Sequence, residues 1–393
     1  MALSHSPSIV TNGLVLCLDA ANRKGYDKFE NLMTNSQLGN TVLNDGGMTV
    51  TTDTTIANPF GGSDGVLKCV HTTQIPGYFR RGQNMSLTAG VTYTFSFYFK
   101  NGTVSNPYGQ GVNSGPSILV TTFTPTFQEL GQSLNTNIDV GNGWYRQVYT
   151  FTPSYTQTYQ VDFNQSVNQS PIGTYYLYGF QLERGSSVTD YYATTSTAKN
   201  RGTIWSDLSG NGNTGTLTNG VGYGNSNSGS FVFDGVNDYV TFSSTSLNLY
   251  PITLSFWATP GGDVINKYVA ASLNGYRVSF GTGGISGYYF KSGSDYTLNY
   301  DNSYGSGTNG IFSNGVMAVD NSGVKFYLNG QLVGSNSWTG TAGPPTTAEA
   351  FKLGVYSSAY RTGNISQVSI YNRALTAAEI QQNYNALRGR FSI

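Results

Sequence analysis

Residues 324–334, "VKFYLNGQLVG", decide the fold of the region around them. Every second residue from Val324 to Leu328 is apolar, so these side chains share one face of a strand. The dipeptide Asn329-Gly330 follows, and these two residue types accept the positive φ angles of a type I′ turn. After the turn the alternation resumes. The segment therefore predicts a β-hairpin.

The same period of two recurs along the chain, most clearly in "YTFSFYF" at 93–99 and "ITLSFWA" at 252–258. The residues predicted to share one face are Tyr93, Phe95, Phe97 and Phe99 in the first segment, and Ile252, Leu254, Phe256 and Ala258 in the second. Each segment predicts a half-buried antiparallel strand. A further turn at 321–323 extends the hairpin to a three-stranded meander. Closely spaced strands without helical patterns between them predict β-sandwiches.

One short helix is predicted, within "NRALTAAEIQQNYNALRGRF" at 372–391. Thr376 and Glu379 have the spacing of a capping box, in which each side chain bonds to the backbone of the other residue. The apolar stripe of this helix is Ile380, Tyr384 and Leu387. Gly389 is placed to end it. A single terminal helix on an all-β chain predicts a lid over one end of a sandwich.

Composition excludes several classes of function. The 393 residues hold 20 basic and 20 acidic side chains, so there is no charge excess to bind nucleic acid or an anionic membrane. No basic segment followed by an apolar run opens the chain, and no stretch approaches 18 apolar residues. We therefore expect neither a Sec signal nor membrane insertion. Cys17 and Cys69 lie among apolar neighbours, which predicts buried free thiols and synthesis in a cytosol.

Five ordered motifs carry a resemblance to a known family. They are "GLVLCLDAAN" at 13–22, "WSDLSGNGNTGTLTNG" at 205–220, "FVFDGVNDYVTF" at 231–242, "FYLNGQLVG" at 326–334 and "GNISQVSIYNRALTAAEIQQNYNALRGRF" at 363–391. Together they resemble the concanavalin A-like, laminin-G-type jelly roll, in the version common in structural proteins of tailed bacteriophages. The resemblance implies a jelly-roll sandwich and a place in a phage particle.

The chain departs from that family after its first motif. The strand "GLVLCLDAAN" normally leads almost directly into the "WSDLSGNGN" motif, whereas here residues 23–204 separate them. Four motifs follow one another in this stretch: "FENLMTNSQLGN" at 29–40, "LTAGVTYTFSFYFKNG" at 87–102, "GNGWYRQVYTFTP" at 141–153 and "YYLYGFQLERGSSVTDYYAT" at 175–194. Their order resembles that of a galactose-binding-like carbohydrate-binding module. We therefore predict two jelly rolls, one inserted in the other: a discontinuous outer domain of residues 1–26 and 197–393, and an inserted domain of residues 27–196.

Two glycine-rich loops are the candidates for a metal site. Calcium prefers six to eight oxygen ligands, and these loops offer carboxylate and amide oxygens. The candidate ligands are Asp207, Asn211, Asp234, Asn237 and Asp238. The alternative is turn formation, because Asp and Asn beside Gly are common turn residues whose side chains bond to nearby backbone groups. The sequence leaves both interpretations open, and calcium is the one cofactor that it suggests.

Aromatic side chains near turns are the candidates for a binding surface. Sugars stack their apolar faces on rings and bond through hydroxyls to polar side chains, and the same rings are frequent in protein interfaces. The candidates for glycan or protein contact are Trp144, Tyr145, Tyr288, Tyr289, Tyr296 and Tyr300. Many of the 29 Tyr and 21 Phe must instead lie in the core or on sheet faces.

No catalytic residues are predicted. Glycoside hydrolysis needs two carboxyl groups, and the glucanase relatives carry theirs as alternate acidic residues on a strand. None of the Glu residues here has an acidic residue two positions away. The two histidines, His5 and His71, have no GxSxG motif to work with. We therefore expect a protein that is not an enzyme.

Two hypotheses of function follow. The first is a surface protein of the phage particle, a head or tail decoration in multiple or oligomeric copies, contacting other virion proteins and adding weak glycan binding. The second is a glycan-binding adhesin that recognises the host surface, on a tail fibre or as a secreted bacterial protein. The sequence favours the first, made in the host cytoplasm and carried on the virion surface.

Overall fold

The structure is a computed structural model that describes residues 8–37, 41–44, 49–72, 78–103, 117–122, 136–166, 172–224, 226–242, 247–291, 304–338 and 340–393. The chain divides into two compact units. The larger unit comprises residues 1–28 and 202–393, and the smaller unit comprises residues 29–201. The sequence-based boundaries fall after residues 26 and 196.

Strands make up most of the described chain, and they are numbered here in chain order. They are β1 (Leu14–Asp19), β2 (Thr41–Asn44), β3 (Thr49–Asp53), β4 (Val66–His71), β5 (Tyr78–Leu87), β6 (Tyr93–Asn101), β7 (Ser117–Thr122), β8 (Thr136–Gly141), β9 (Trp144–Phe151), β10 (Gln157–Ser166), β11 (Gly173–Arg184), β12 (Ile204–Trp205), β13 (Gly215–Thr218), β14 (Gly222–Gly224), β15 (Ser230–Asp234), β16 (Tyr239–Phe242), β17 (Ile252–Ala258), β18 (Gly262–Val269), β19 (Asn274–Gly281), β20 (Gly284–Phe290), β21 (Ser313–Asp320), β22 (Gly323–Leu328), β23 (Gln331–Ser337), β24 (Lys352–Leu353), β25 (Val355–Tyr356), β26 (Ala359–Tyr360) and β27 (Thr362–Tyr371). The helices are α1 (Ala377–Leu387) and short 3₁₀ turns at Ser226–Ser228, Ala270–Ser272 and Arg388–Phe391.

The larger unit is a sandwich of two antiparallel sheets. One has the order β14-β15-β27-β17-β21-β22-β23, with β1 also paired to β27, and the other has the order β12-β13-β16-β24-β18-β19-β20. One apolar core contains side chains of both sheets. Phe256 of β17 and Phe280 of β19 join them, with ring centroids 5.9 Å apart. The strands β25 and β26 form a separate two-stranded hairpin.

The predicted hairpin and meander are confirmed in the larger unit. Leu328 of β22 pairs with Gln331 of β23, which leaves the two-residue turn Asn329-Gly330 between the strands. Both turn residues have positive φ, 51° and 79°, as a type I′ turn requires. On the other side of β22, Gly323 pairs with Asp320 of β21 and completes the three strands.

The C-terminal helix covers a sheet face, whereas the sequence predicts a lid over one end of the sandwich. The predicted capping box of Thr376 and Glu379 is present. Trp257, on the outward face of β17, is stacked against Tyr384, whose ring centroid is 5.8 Å away, and against Phe391, at 4.2 Å. Because this cover buries the second face, all seven residues of β17 are buried, and the prediction of a half-buried strand is wrong for it.

The smaller unit is a second antiparallel sandwich. A four-stranded sheet of order β2-β5-β10-β7 faces a six-stranded sheet of order β3-β4-β11-β6-β9-β8. Phe95, Phe97 and Phe99 of β6 lie in the core, as the alternation predicts. The opposite face of β6 is buried as well, because Phe60 and Tyr191 pack against Tyr98 there. The prediction of a half-buried strand is therefore wrong for β6 as well.

The fold class is confirmed: the chain is all-β, built of antiparallel jelly-roll sandwiches, with one short C-terminal α-helix. Across the described residues, no helix is long and apolar enough to cross a membrane.

Candidate functional site

The first predicted calcium loop is fastened to β1 through Asp207. Its Oδ1 accepts hydrogen bonds from the backbone N–H groups of Cys17 at 3.0 Å and Ser209 at 2.9 Å. Its Oδ2 accepts from the Asn213 N–H at 3.0 Å and from the Ser209 hydroxyl at 2.9 Å. The four acceptor positions of this carboxylate are thus used within the fold. Asn211 is exposed, and its amide donates to the Leu14 carbonyl at 3.2 Å.

In the second predicted calcium loop, the carboxylates bond to backbone groups of the same loop. Asp234 Oδ1 accepts from the Val236 N–H at 2.8 Å, and Asp238 Oδ2 accepts from the Asp234 N–H at 3.2 Å. The Asn237 backbone carbonyl accepts a hydrogen bond from the Asn219 side-chain amide at 2.9 Å. These are the bonds of a turn, in which carboxylates satisfy neighbouring backbone groups.

The two loops lie at opposite ends of the ladder between β13 and β16. The Asp207 N–H bonds to Thr214, beside the Gly215 end of β13, whereas Asp238 precedes Tyr239, which pairs with Thr218 at the other end. The five predicted ligands are therefore not brought together. In the part of the chain that the structure describes, no group of three or more His, Cys, Asp and Glu side chains could hold a metal. Calcium binding stays a prediction.

The predicted aromatic residues lie in different environments. Tyr289 faces the core of the larger unit, where its hydroxyl donates to the Leu249 carbonyl at 2.6 Å. Trp144 is buried in the smaller unit and its indole N–H donates to the Ala57 carbonyl at 3.0 Å. Tyr145 is half-buried on β9. Tyr296 and Tyr300 lie outside the described residues.

Tyr288 is buried, 5% exposed, and lies on the face of the seven-stranded sheet opposite to that of Tyr289, here called the outer face. One row of register partners crosses this face, namely Thr241, Lys352, Asn266, Arg277 and Tyr288. Tyr268, two residues after Asn266 on β18, lies on the same side, and its ring centroid is 4.3 Å from that of Tyr288. The outer face thus combines aromatic and polar side chains.

A pocket of about 230 Å³ opens beside this row. The β25–β26 hairpin forms one wall, and the segment before β24 forms another. The lining residues are Asn266, Tyr268, Val269, Ala270, Glu349, Lys352, Val355, Tyr356 and Ser357. We call this the outer-face pocket.

Arg277 packs against Tyr356, the aromatic side chain in the hairpin wall of the outer-face pocket. The Arg277 guanidinium lies 4.0 Å from the ring centroid of Tyr356, a close cation–π contact. Arg277 also forms a two-bond ion pair with Asp263, in which Nε donates to Oδ1 and Nη2 donates to Oδ2 at 2.7 Å. Burial disfavours the charged guanidinium, but the hydrogen bonds and charge of Asp263 outweigh it and raise the Arg277 pKa.

Two side chains of the outer-face pocket carry hydrogen-bond donors. Asn266 is only 3% exposed, and its Oδ1 accepts from the Tyr268 N–H at 3.2 Å. Within the described part of the chain this is the one hydrogen bond of that side chain, so Nδ2 can donate to a ligand. Burial raises the pKa of the Tyr268 phenol, which therefore stays protonated and able to donate at neutral pH.

The charged part of the outer-face pocket is an ion pair. Lys352 Nζ lies 2.8 Å from Glu349 Oε1, and both side chains are about one third exposed. Below them, buried Lys267 donates to the Glu349 carbonyl at 2.6 Å, and burial lowers its pKa. Thr346 is fixed to Asn274 by two hydrogen bonds of 3.0 Å. These hydrogen bonds hold this wall of the pocket in place.

Among the residues of the outer face and its pocket, the sequence identified only Tyr288, whose ring contacts that of Tyr268. Asn266 and Tyr268 are two positions apart in "DVINKYV" and so share one face of a strand, but the charged residue Lys267 lies between them and no apolar alternation marks that face. Tyr356 and Glu349 carry no sequence signal either.

A family comparison agrees with this sandwich. Residues 234–381 match the laminin-G-type model of the concanavalin A-like lectin/glucanases superfamily. The match lies within the larger unit and covers less than half of the chain. It confirms the concanavalin A-like part of the sequence resemblance and includes every lining residue of the outer-face pocket. No curated protein matches the chain.

Solved structures similar to the chain include three that cover 46% of it. The binding domain of Paraclostridial Mosquitocidal Protein 1 is 18% identical, with a TM-score of 0.37, over 46% of this chain and 49% of that one. Domain 4 of an extracellular arabinanase from Geobacillus stearothermophilus, solved with arabinotriose, is 21% identical, with a TM-score of 0.35, over 46% and 92%. The receptor binding domain of botulinum neurotoxin C/D mosaic serotype is 16% identical, with a TM-score of 0.36, over 46% and 48%. The match thus spans about half of the first and third of these chains. The function of this chain has to follow from its own residues.

Proposed function

We propose that the protein is a non-catalytic saccharide-binding protein and that the outer-face pocket is its binding site. The observation that carries the proposal is the combination, in one pocket, of the Tyr356 ring with the nearly buried amide of Asn266. A sugar residue has apolar C–H faces that pack on an aromatic ring and hydroxyls that pair with amide and charged groups. The pocket offers both kinds of contact at once.

The size and charge of the outer-face pocket select the ligand class. Its volume of about 230 Å³ is below the ~300–1,000 Å³ typical of sites that enclose drug-sized ligands, so it suits one sugar residue of a longer chain. Its cation and anion, Lys352 and Glu349, are paired with each other. A neutral saccharide leaves this pair intact, whereas an anionic sugar would have to compete with Glu349 for Lys352.

The carboxyl groups of the outer-face pocket support a binding role. Glycoside hydrolysis uses two carboxyl groups across the scissile bond. Among the lining residues, Glu349 is the one acidic side chain, and it is engaged by Lys352. Binding without bond cleavage is therefore the activity that fits these residues.

The proposal also assigns the protein to the surface of a tailed-phage particle, in multiple or oligomeric copies beside other virion proteins. The support for this location is the sequence resemblance carried by the five motifs at 13–22, 205–220, 231–242, 326–334 and 363–391. On the particle, the outer-face pocket favours recognition of host-surface glycans over decoration alone.

Two experiments test the two parts separately. The purified chain is applied to a printed array of neutral hexose and pentose oligosaccharides; binding to a defined subset is expected, and an array without signal contradicts the saccharide-binding role. Mass spectrometry of purified particles from cells that make the protein tests the location. Its absence from the particles contradicts the virion assignment and leaves the saccharide result standing.

A further inference from the structure

The smaller unit displays one aromatic ring that its own fold does not bury. Phe60 lies in the loop between β3 and β4 and is 58% exposed, although the neighbouring rings of Tyr98 and Tyr178 are buried. Leaving an apolar ring in water forgoes the stabilisation that burial provides. A large exposed ring is common on protein surfaces, so the way this one is held has to distinguish it.

The Phe60 ring is fixed by other rings. It stacks on Tyr191, with centroids 5.6 Å apart and planes at 13°, and it meets the edge of Tyr98 at 5.3 Å. Tyr191 is in turn anchored through its hydroxyl, which lies 2.8 Å from the Ser36 hydroxyl. One side of the Phe60 ring therefore rests on a rigid support, and its exposed surface is presented to solvent.

The backbone that carries Phe60 is fixed as well. Asn58 Oδ1 accepts from the Phe60 N–H at 2.8 Å and from the Gly62 N–H at 3.0 Å. The Asn58 backbone adds two bonds, one to the Gly62 carbonyl at 2.8 Å and one from the Gly61 N–H at 3.0 Å. A ring held this way loses little conformational entropy when it binds a ligand.

Hydrogen-bonding groups adjoin the Phe60 ring. Asp64 is exposed, and its Oδ2 accepts from the Tyr178 hydroxyl at 3.1 Å and from the Gln37 amide at 2.9 Å. Its Oδ1 accepts from the Asn58 amide. The described residues thus supply three donors to a carboxylate that has about four acceptor positions. One position remains for a hydroxyl of a ligand.

The small area of the patch indicates its occupant. A phenylalanine exposed to this degree presents on the order of 100 Å² of apolar surface, since aromatic side chains bury roughly 150–250 Å² each. A stable protein interface takes about 800 Å² per partner. One ring with an adjoining carboxylate matches one sugar residue, whose C–H face covers a ring and whose hydroxyls reach the rim.

We propose that Phe60 is a stacking platform for a saccharide in the smaller unit, with Asp64 accepting a hydrogen bond from a sugar hydroxyl. This site is independent of the outer-face pocket, which lies in the larger unit. Each of the two proposals can therefore fail without the other.

The test uses the full chain with the outer-face pocket disabled by Tyr356→Ala. The printed array of neutral hexose and pentose oligosaccharides selects the strongest ligand of this variant, which is then titrated calorimetrically. Adding Phe60→Ala is expected to weaken binding about tenfold, the loss of one good aromatic contact, whereas Phe60→Trp retains it. Tyr155→Ala is the matched control, because Tyr155 is 57% exposed on the same unit and its ring has no ring neighbour among the described residues.

Three results would overturn the Phe60 proposal. They are an array without signal for the Tyr356→Ala variant, equal binding by the chains with and without Phe60→Ala, and equal losses from Phe60→Ala and Tyr155→Ala. Sedimentation of the same proteins adds a fourth. Self-association that depends on Phe60, without saccharide binding, assigns the ring to a contact between copies of the chain. Because Phe60 is exposed, the melting temperature should be unchanged by its replacement, and this confirms that the variant folds.

Discussion

The Arg277 guanidinium lies 4.0 Å from the ring centroid of Tyr356, which connects a buried ion pair to the wall of a ligand-sized pocket. Asp263 holds Arg277 on one side, and Tyr356 covers it on the other. The two contacts have different roles. The ion pair contributes to the stability of the larger unit, and the ring contact fixes the position of a residue that lines the outer-face pocket.

Removing Asp263 should destabilise the larger unit strongly. The side chains of Asp263 and Arg277 are only 7% and 11% exposed, and Arg361 is buried nearby with its pKa lowered to about 9 by burial, an effect that the Asp263 charge opposes. Asp263→Ala leaves the buried charges of Arg277 and Arg361 without this carboxylate. We therefore expect the free energy of unfolding to fall by about 3–5 kcal/mol. Urea unfolding of the chain measures the loss.

The control for this prediction is Lys68→Met in the smaller unit, which removes an ion pair and leaves the hydrogen bonds from Thr55 to Asp53 in place. Asp53 and Lys68 form a looser pair, 3.6 Å apart with Lys68 37% exposed, and such pairs contribute about 0–1 kcal/mol. Similar losses of stability from the two substitutions would contradict a special contribution of the buried pair.

The C-terminal segment should stabilise the sheet face that it covers. The Phe391 ring lies parallel to that of Trp257 at 4.2 Å and is 6% exposed. Phe391→Ala should lower the free energy of unfolding by about 3 kcal/mol and shift tryptophan fluorescence to the red, because Trp257 becomes accessible to water. Ile393→Ala, at a site 39% exposed, is the control and should change stability by less than about 0.5 kcal/mol. An unchanged fluorescence spectrum for Phe391→Ala would show that the segment does not shield Trp257.

The cap of helix α1 should depend on pH through Glu379. Hydrogen bonds from Arg373 and from the Thr376 backbone lower the Glu379 pKa from 4.5 to about 2. A carboxyl group with a lowered pKa stabilises the fold above its ordinary pKa, and this contribution is lost as the pH falls through about 2. Glu379→Gln should therefore lower the free energy of unfolding by about 1 kcal/mol at neutral pH, and the difference should vanish as the pH falls from 4.5 towards 2. A difference that stays constant over this range argues against the charged cap.

Local features of the sequence predicted local structure well. The turn at Asn329-Gly330 and the capping box of Thr376 and Glu379 are each specified by residues at most three positions apart, and both are present. Alternation also placed the rings of β6 and β17 on the correct faces. Strand period and turn chemistry act over a few residues, so one sequence contains enough information to predict them.

Features that join distant segments could not be predicted in this way. The second face of β17 is buried because Trp257 meets Phe391, and no periodic pattern links these two residues. Alternation indicates that Tyr288 and Tyr289 point to opposite faces, but not which of them faces the core. The outer-face pocket likewise needs Tyr356 to fold over Arg277, a contact that depends on the whole sheet order.

Calorimetric titration of the outer-face pocket tests the proposed function most directly. The ligand is the neutral oligosaccharide with the strongest array signal for the unaltered chain. Tyr356→Ala and Asn266→Ala should each weaken binding about tenfold or more, because the first removes the stacking ring and the second the buried amide. Tyr360→Ala, on the other strand of the same hairpin and outside the pocket lining, should bind as the unaltered chain does. Equal affinity of the Tyr356→Ala, Asn266→Ala and Tyr360→Ala variants would contradict the assignment of the saccharide to this pocket.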